Sequence, residues 1–102
     1  MSLKMTNQRT KKGFGLVSCT VMRDPEVSLG EKAVYAHLST YADSSNSLFV
    51  SVDRIATECG ISTSTVKRQI FLLEQKGIIS RVSRGHKLTK ITILIKWKSL
   101  LN

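Results

Sequence analysis

The sequence predicts an α+β fold that is mainly α, with a three-helix core followed by a small β-hairpin. Serines at positions 28, 51 and 62 each precede apolar residues at helical spacing, which predicts three helix starts. After Ile78 the apolar period changes to two, which is typical of strands. A chain of 102 residues with 41% hydrophobic content can bury one core but not two.

The domain organisation follows from composition. Residues 1–13 are polar and basic without apolar periodicity, so we expect a disordered basic arm. The domain itself is expected over 14–98, and 99–102 form a C-terminal tail. No apolar run approaches the ~20 residues that cross a bilayer, and no secretory signal opens the chain. We therefore expect a cytoplasmic protein that does not enter a membrane.

The first helix is predicted at a capping box. Residues 14–22 are apolar and β-branched and are expected to pack as an extended segment before Asp24 and Pro25. Ser28 and Glu31 then have the spacing at which each side chain bonds the other residue's amide. The predicted buried stripe of this helix consists of Leu29, Ala33, Val34, His37 or Leu38, and Tyr41.

The second and third helices are predicted back to back. Ser51 caps the second, whose buried side is Val52, Ile55, Ala56 and Cys59, and Gly60 ends it. Ile61 is expected to be a buried anchor. Ser62 caps the third helix, which runs to Lys76 before Gly77 and buries Val66, Ile70 and Leu73.

Three segments are predicted as strands. Residues 48–50 are too short for a helix and suit a small strand after the polar loop 43–47. Residues 79–83 and 91–97 alternate, with Ile91, Ile93, Ile95 and Trp97 on one face. The glycine-containing turn 84–87 separates them, so we expect a hairpin.

Positive charge is concentrated in two places. Residues 1–15 carry four cations and no acid, 16–58 carry three cations against six acids, and 59–102 carry nine cations against Glu74 alone. Lys and Arg that neutralise phosphates release condensed counterions, so a polyanion is the natural partner. Charge alone is equally compatible with a soluble basic protein.

The segment from Ile55 to Arg68 resembles a helix-turn-helix. Ala56 permits a close helix crossing, Gly60 makes the turn, and Val66 fills the space beneath it. With the hairpin behind it, the pattern resembles a winged helix-turn-helix whose third helix reads the major groove of double-stranded DNA. That resemblance points to the following contacts on the outer face: Ser62, Thr63, Ser64, Lys67, Arg68 and Phe71.

The hairpin supplies a second set of candidate DNA contacts. Its turn carries Arg84, His86 and Lys87, and its strands add Arg81 and Lys90. A basic loop can follow a phosphate backbone or enter a minor groove. The plain alternatives are a solvated turn and a solvated polar face on the third helix. Ser62 is explained by capping alone, and Phe71 could also contact a neighbouring subunit.

Other kinds of site are not indicated. The sequence has no GxxxxGK[ST] phosphate loop, no nucleophile elbow and no close pair of carboxylates, so we expect no enzyme activity and no cofactor. Cys19 and Cys59 are far apart, without CxxC spacing, and are expected to be reduced, packed thiols. His37 has no predicted cysteine or carboxylate partner set, so no metal site is expected.

A family resemblance extends over roughly residues 14–95. The chain is similar to the helix-turn-helix domain at the front of phage replisome organizers, plasmid replication initiators and primosome components. This resemblance implies origin or operator binding, with a separate C-terminal region that contacts replication proteins. That region is not among these 102 residues. Gln69 departs from the small or apolar residue common beside the inward stripe. The residues that carry the resemblance are 21–25, Leu29, 32–35, Leu38, 41–42, 49–51, 55–56, 60–62, 65–66 and Leu73.

Two other functions remain open from the sequence. A transcriptional repressor would use the same fold at a promoter operator. A winged helix that binds proteins would instead use Phe71 with Leu94, Leu100 and Leu101 as a homodimer or partner surface.

Overall fold

The computed structural model describes residues 13–83 and 88–94, apart from the side chains of residues 83 and 88. Residues 1–12 of the expected arm, the turn with Arg84, His86 and Lys87, and the segment 95–102 lie outside the described residues. The described elements are α1 (Cys19–Met22), α2 (Leu29–Ser39), β1 (Ser47–Ser51), α3 (Val52–Cys59), α4 (Thr63–Gln75), β2 (Ile79–Ser83) and β3 (Leu88–Ile93). Apart from α1, which was not predicted, the predicted order of helices and strands is confirmed, and the architecture is a winged-helix-like α+β fold.

The three strands form one antiparallel sheet in the order β1-β3-β2. Ile79 pairs with Ile93 in one ladder, and Leu48 pairs with Ile91 in the other. The sequence placed the last strand at 91–97, whereas β3 begins at Leu88. The reason is that β3 is the central strand and pairs with β1 from Leu88 onward. The prediction of a hairpin considered only the pairing of β3 with β2.

The core lies between the helices and one face of the sheet. Val66, Ile70 and Leu73 of α4 are 0–3% exposed, which confirms the predicted inward stripe of that helix. Ile79, Ile91 and Ile93 of the sheet belong to the same buried cluster. The other buried apolar residues are Val21, Val27, Val34, Tyr35, Leu38, Leu48, Val50, Ile55, Ala56 and Ile78.

Helix α2 buries only part of the predicted face, with Val34 and Leu38 1% and 0% exposed. Its capping box is confirmed, with the Ser28 amide donating to Glu31 and the Glu31 amide donating to Ser28 Oγ. Leu29, however, is 84% exposed and Ala33 is also exposed. The buried residues are Glu31, Val34, Tyr35, Leu38 and Ser39. A buried carboxylate was not expected, and its pairing with Lys76 accounts for the burial of Glu31.

The segment before α2 is partly helical, which corrects the prediction of an extended piece over 14–22. Ser18 caps α1, and its amide donates to the buried Tyr35 hydroxyl at 2.7 Å. Gly15 lies against α2, where a Cβ would come within 2.6 Å of the Ser39 carbonyl oxygen. Phe14 and Leu16 remain 72% and 63% exposed.

No helix within residues 13–83 and 88–94 is long and apolar enough to cross a membrane.

Candidate nucleic-acid interface

A tight corner joins α3 to α4. Gly60 has φ 72°, in the left-handed region that most residues resist. The Ile61 amide donates to the Ala56 carbonyl at 3.0 Å, which closes the end of α3. Ser62 then caps α4, with its Oγ accepting from the Thr65 amide at 3.2 Å. The capping prediction for Ser62 is confirmed, and the corner is a helix-turn-helix.

Ile61 is not the buried anchor that the sequence predicted. Its side chain is 37% exposed, whereas Ala56 and Val66 are 5% and 0% exposed beneath the corner. Ile61 lies between two exposed residues, Gly60 and Ser62, at the outside of the turn. The interior of the corner is therefore filled from the two helices and not from the turn.

The outer face of α4 is open to solvent. The predicted contacts Ser62, Thr63, Ser64, Lys67 and Arg68 are all exposed, and Phe71 is 49% exposed. Ser62 Oγ lies 3.2 Å from Ser64 Oγ and 2.8 Å from Thr65 Oγ1, so hydroxyls cluster at the N-terminal end of the helix. Short polar side chains therefore come first on this face, and cations follow within two turns.

A cleft of about 540 Å³ connects this face to the sheet. It brings Lys67 of α4 together with Arg81 of β2 and Thr89 of β3. The other lining residues are Ser51, Val52, Asp53 and Thr63. Lys67 of the helix after the corner and Arg81 of β2 thus face one shared space.

Arg81 is held by the acid nearest to it on α4. Its Nε donates to Glu74 Oε1 at 2.9 Å, and the two side chains are 38% and 32% exposed. The sequence named Arg81 as a hairpin cation but did not predict that it would face α4. The alternation from Ile79 was the available signal, because residues two apart in a strand share a face. Thr89 was missed because β3 was predicted to begin later.

The site residues of the hairpin turn, Arg84, His86 and Lys87, lie outside the described residues. The strands that carry this turn are described and pair in register up to Ser83 and Thr89. The turn itself remains a prediction.

A second polar cluster joins α2 to α3. Arg54 Nε donates to Glu58 Oε2 at 3.2 Å, and the Tyr41 hydroxyl donates to Glu58 Oε1. That hydrogen bond from Tyr41, with the Arg54 charge, lowers the pKa of Glu58 despite some desolvation. His37 Nε2 lies 3.0 Å from Glu58 Oε1, so His37 has one carboxylate neighbour, which the sequence did not indicate. No group of three His, Cys, Asp or Glu side chains in the described part of the chain is arranged to hold a metal ion.

Both cysteines are free thiols. Cys59 packs against the core, and burial raises the pKa of its thiol. Cys19 is exposed, so the expectation of a packed thiol was wrong there. The cause is the short helix α1, which turns Val21 inward instead.

Comparisons with known proteins agree with this geometry. Residues 27–79 match the family model described as "Helix-turn-helix domain". The X-ray structure of the YusO protein from Bacillus subtilis superposes with a TM-score of 0.56 at 22% identity, over 98% of this chain and 68% of that one, which is a likeness of fold. None of the curated proteins compared with the chain matches it. Since the family model covers α2 through the start of β2, including the whole corner, the chain belongs to this helix-turn-helix domain family.

Proposed function

We propose that this chain binds double-stranded DNA with sequence specificity, through the outer face of α4 and the adjoining hairpin. The observation that carries the proposal is the placement of Lys67. This residue is exposed on the helix after the corner and also lines the cleft shared with the hairpin strands. One surface therefore combines a helix able to enter a major groove with a cationic flank able to follow the backbone.

The residue types on α4 suit base recognition. Arg68 can donate two bonds at once to the O6 and N7 acceptors of guanine, and Lys67, which lines the cleft, can reach a phosphate. Thr63 and Ser64 are short enough to bring the helix backbone close to the base edges. Phe71, 49% exposed on the same helix, can contact a thymine methyl group.

The hairpin supports binding by charge. Residues 59–102 carry nine cations against Glu74, and the predicted turn contacts Arg84, His86 and Lys87 belong to that set or adjoin it. Contacts to phosphate fix orientation and carry little sequence information. We therefore assign specificity to α4 and a larger share of the salt-dependent affinity to the hairpin.

The biological setting divides into two proposals that use the same surface. The sequence resemblance to phage and plasmid replication proteins favours an origin site, and a transcriptional repressor would occupy a promoter operator. Footprinting across the source replicon separates them. Protection within an origin supports replication initiation, and protection confined to a promoter supports repression.

Selection of bound duplexes from a random pool tests DNA recognition directly. An enriched motif is expected, and a palindrome would also report a homodimer. On the selected duplex, Lys67→Ala with Arg68→Ala should lower affinity by roughly tenfold or more and reduce the salt slope by about 0.9, because Lys67 contacts one phosphate whereas Arg68 contacts a base. The matched control, Arg23→Ala with Lys32→Ala, removes the same charge outside this surface.

A protein-binding function is the rival that a specific observation favours. Phe71 is 49% exposed on the same helix, and Leu94 is 40% exposed after β3. Unchanged duplex affinity and salt slope in the Lys67 and Arg68 double variant would contradict the DNA proposal. Loss of self-association in Phe71→Ser, measured by sedimentation, would then support an interface between subunits.

A further inference from the structure

Arg81 lies in the cleft beside Lys67, although it belongs to the sheet and not to α4. The hydroxyls of Ser51, Thr63 and Thr89 line the same cleft, and Asp53 supplies a carboxylate at its α3 side. Two cations with hydroxyl donors around them form a site that suits an anion. Because Asp53 opposes an anion in part, the anion must lie toward the two cations.

The guanidinium of Arg81 keeps most of its donors available. Its Nε is bonded to Glu74 Oε1 at 2.9 Å, and within the described residues the structure gives the two η nitrogens no hydrogen-bond partner. A guanidinium is planar and carries five N–H donors, of which four belong to the η nitrogens. The η edge matches the spacing of two phosphate oxygens.

The positions of α4 and of the hairpin strands β2 and β3 indicate where a DNA phosphate would lie. If α4 enters a major groove, a phosphate backbone borders that groove on each side of the helix. The backbone on the side of the sheet would then pass the space between α4 and β2. The cleft lined by Lys67 and Arg81 is in that space.

We propose that the η edge of Arg81 and the ammonium of Lys67 together bind one DNA phosphate in this cleft, and that Glu74 is the positioning residue that fixes the guanidinium plane. The inference rests on the proposed DNA-binding function. It adds a backbone contact to the base-reading contacts of α4 and gives a role to Glu74, the one acid among residues 59–102.

The first test is Arg81→Gln, with affinity measured by fluorescence anisotropy over roughly 50–200 mM salt. The salt slope should fall by about 0.9, and affinity for the selected duplex should fall about tenfold. Affinity for a shuffled duplex should fall by a similar factor, as expected for a backbone contact. The control Arg23→Gln makes the same charge change away from the cleft and should leave both values near those of the wild type. Arg81→Lys keeps the charge but not the paired N–H donors of the guanidinium, so the salt slope should be unchanged while part of the affinity is lost.

The second test separates orientation by Glu74 from its charge. Glu74→Gln and Glu74→Ala remove the same charge, but glutamine keeps an oxygen that can accept from Nε. Glu74→Ala should therefore bind the duplex more weakly than Glu74→Gln, and this difference should vanish when Arg81 is also changed to Gln. Equal affinity of the two variants would overturn the positioning role. Thermal unfolding of each variant identifies any loss of fold.

Failure of the inference is distinguishable from failure of the proposed function. If the wild-type chain binds no duplex, the proposed function is wrong. If it binds, and the Lys67 and Arg68 double variant weakens binding while Arg81→Gln changes neither affinity nor slope, DNA binding holds and the phosphate site in the cleft is refuted.

Discussion

The Nζ of Lys76, just after α4, lies 2.6 Å from Oε1 of Glu31 on α2. Glu31 is 1% exposed, and its other oxygen has no hydrogen-bond partner within the described residues. Lys76 Nζ also donates to the Glu26 carbonyl at 2.6 Å. Lys76 therefore links the C-terminal end of α4 to α2.

Removing the cation should destabilise the fold. We expect Lys76→Met to lower the free energy of unfolding by about 2 kcal/mol, somewhat less than the roughly 3–5 kcal/mol for a fully buried pair, because Lys76 is partly exposed. The loss should be seen as a lower urea midpoint with an unchanged m value. Lys67→Met, at an exposed position of α4, is the control and should change stability by less than about 0.5 kcal/mol.

Adding Glu31→Gln to Lys76→Met should recover part of the loss. Glutamine is neutral but can still accept the Ser28 amide bond of the capping box. A double variant no more stable than Lys76→Met alone would show that the lysine acts through packing of its aliphatic chain and not through the carboxylate.

The same pair predicts a pH dependence. Desolvation raises the pKa of Glu31, but hydrogen bonds from Lys76 and Ser28 outweigh it, so the folded-state pKa lies below its ordinary value of 4.5. The ionised carboxylate thus stabilises the folded state. Its contribution should be fully present above about pH 4.5 and should be lost as pH falls through the folded-state pKa.

Urea titrations at a series of pH values measure this effect. Stability of the wild type should exceed that of Glu31→Gln most near neutral pH, and the gap should narrow below about pH 4.5. Asp43 and Glu58 also have lowered pKa values, so both proteins should lose stability in acid, and the difference between the two curves isolates Glu31. A gap that stays constant down to strong acid would contradict the assignment.

Gly60 should be needed for its backbone conformation alone. Its φ is 72°, and a Cβ placed there would meet nothing within 4 Å. Gly60→Ala should therefore cost about 1–2 kcal/mol through left-handed strain. Gly60→Asn should cost less, because asparagine tolerates this region better. Chemical unfolding of the two variants provides the measurement, and equal losses would indicate that side-chain contact and not φ is decisive.

Local patterns were enough to predict the helix-turn-helix of this chain. Ser51 and Ser62 cap helices where expected, and Gly60 takes the left-handed turn. These features depend on a few neighbouring residues, so they can be predicted from short stretches of sequence. The exposed face of α4 followed directly, since burying Val66, Ile70 and Leu73 leaves Lys67 and Arg68 outside.

Features that depend on distant partners were predicted poorly. Glu31 of α2 is buried against Lys76, a contact across 45 residues of sequence. The start of β3 is set by β1, which pairs Ser51 with Leu88. The cleft with Arg81 likewise needs the helix and sheet to be placed relative to each other, which periodicity alone does not give.

Gln69 is the one position where the sequence departed from its family resemblance, and the structure shows a cost there. Its side chain packs against α2, where a Cβ on Gly30 would come within 3.2 Å of Gln69 Nε2. The Gln69 Oε1 atom is buried and has no hydrogen-bond partner within the described residues. A buried carbonyl without a partner costs about 1–3 kcal/mol.

Replacing this amide with an apolar chain of similar length should stabilise the fold. We expect Gln69→Met to raise the free energy of unfolding by about 1 kcal/mol, since methionine has a similar helix propensity and no buried acceptor. The control Gln75→Met, at an exposed position of the same helix, should change stability by less than about 0.5 kcal/mol. Duplex affinity should be unchanged in both, because neither residue is among the proposed contacts. A loss of stability in Gln69→Met would contradict this prediction and would mean that the Gln69 amide makes a stabilising hydrogen bond.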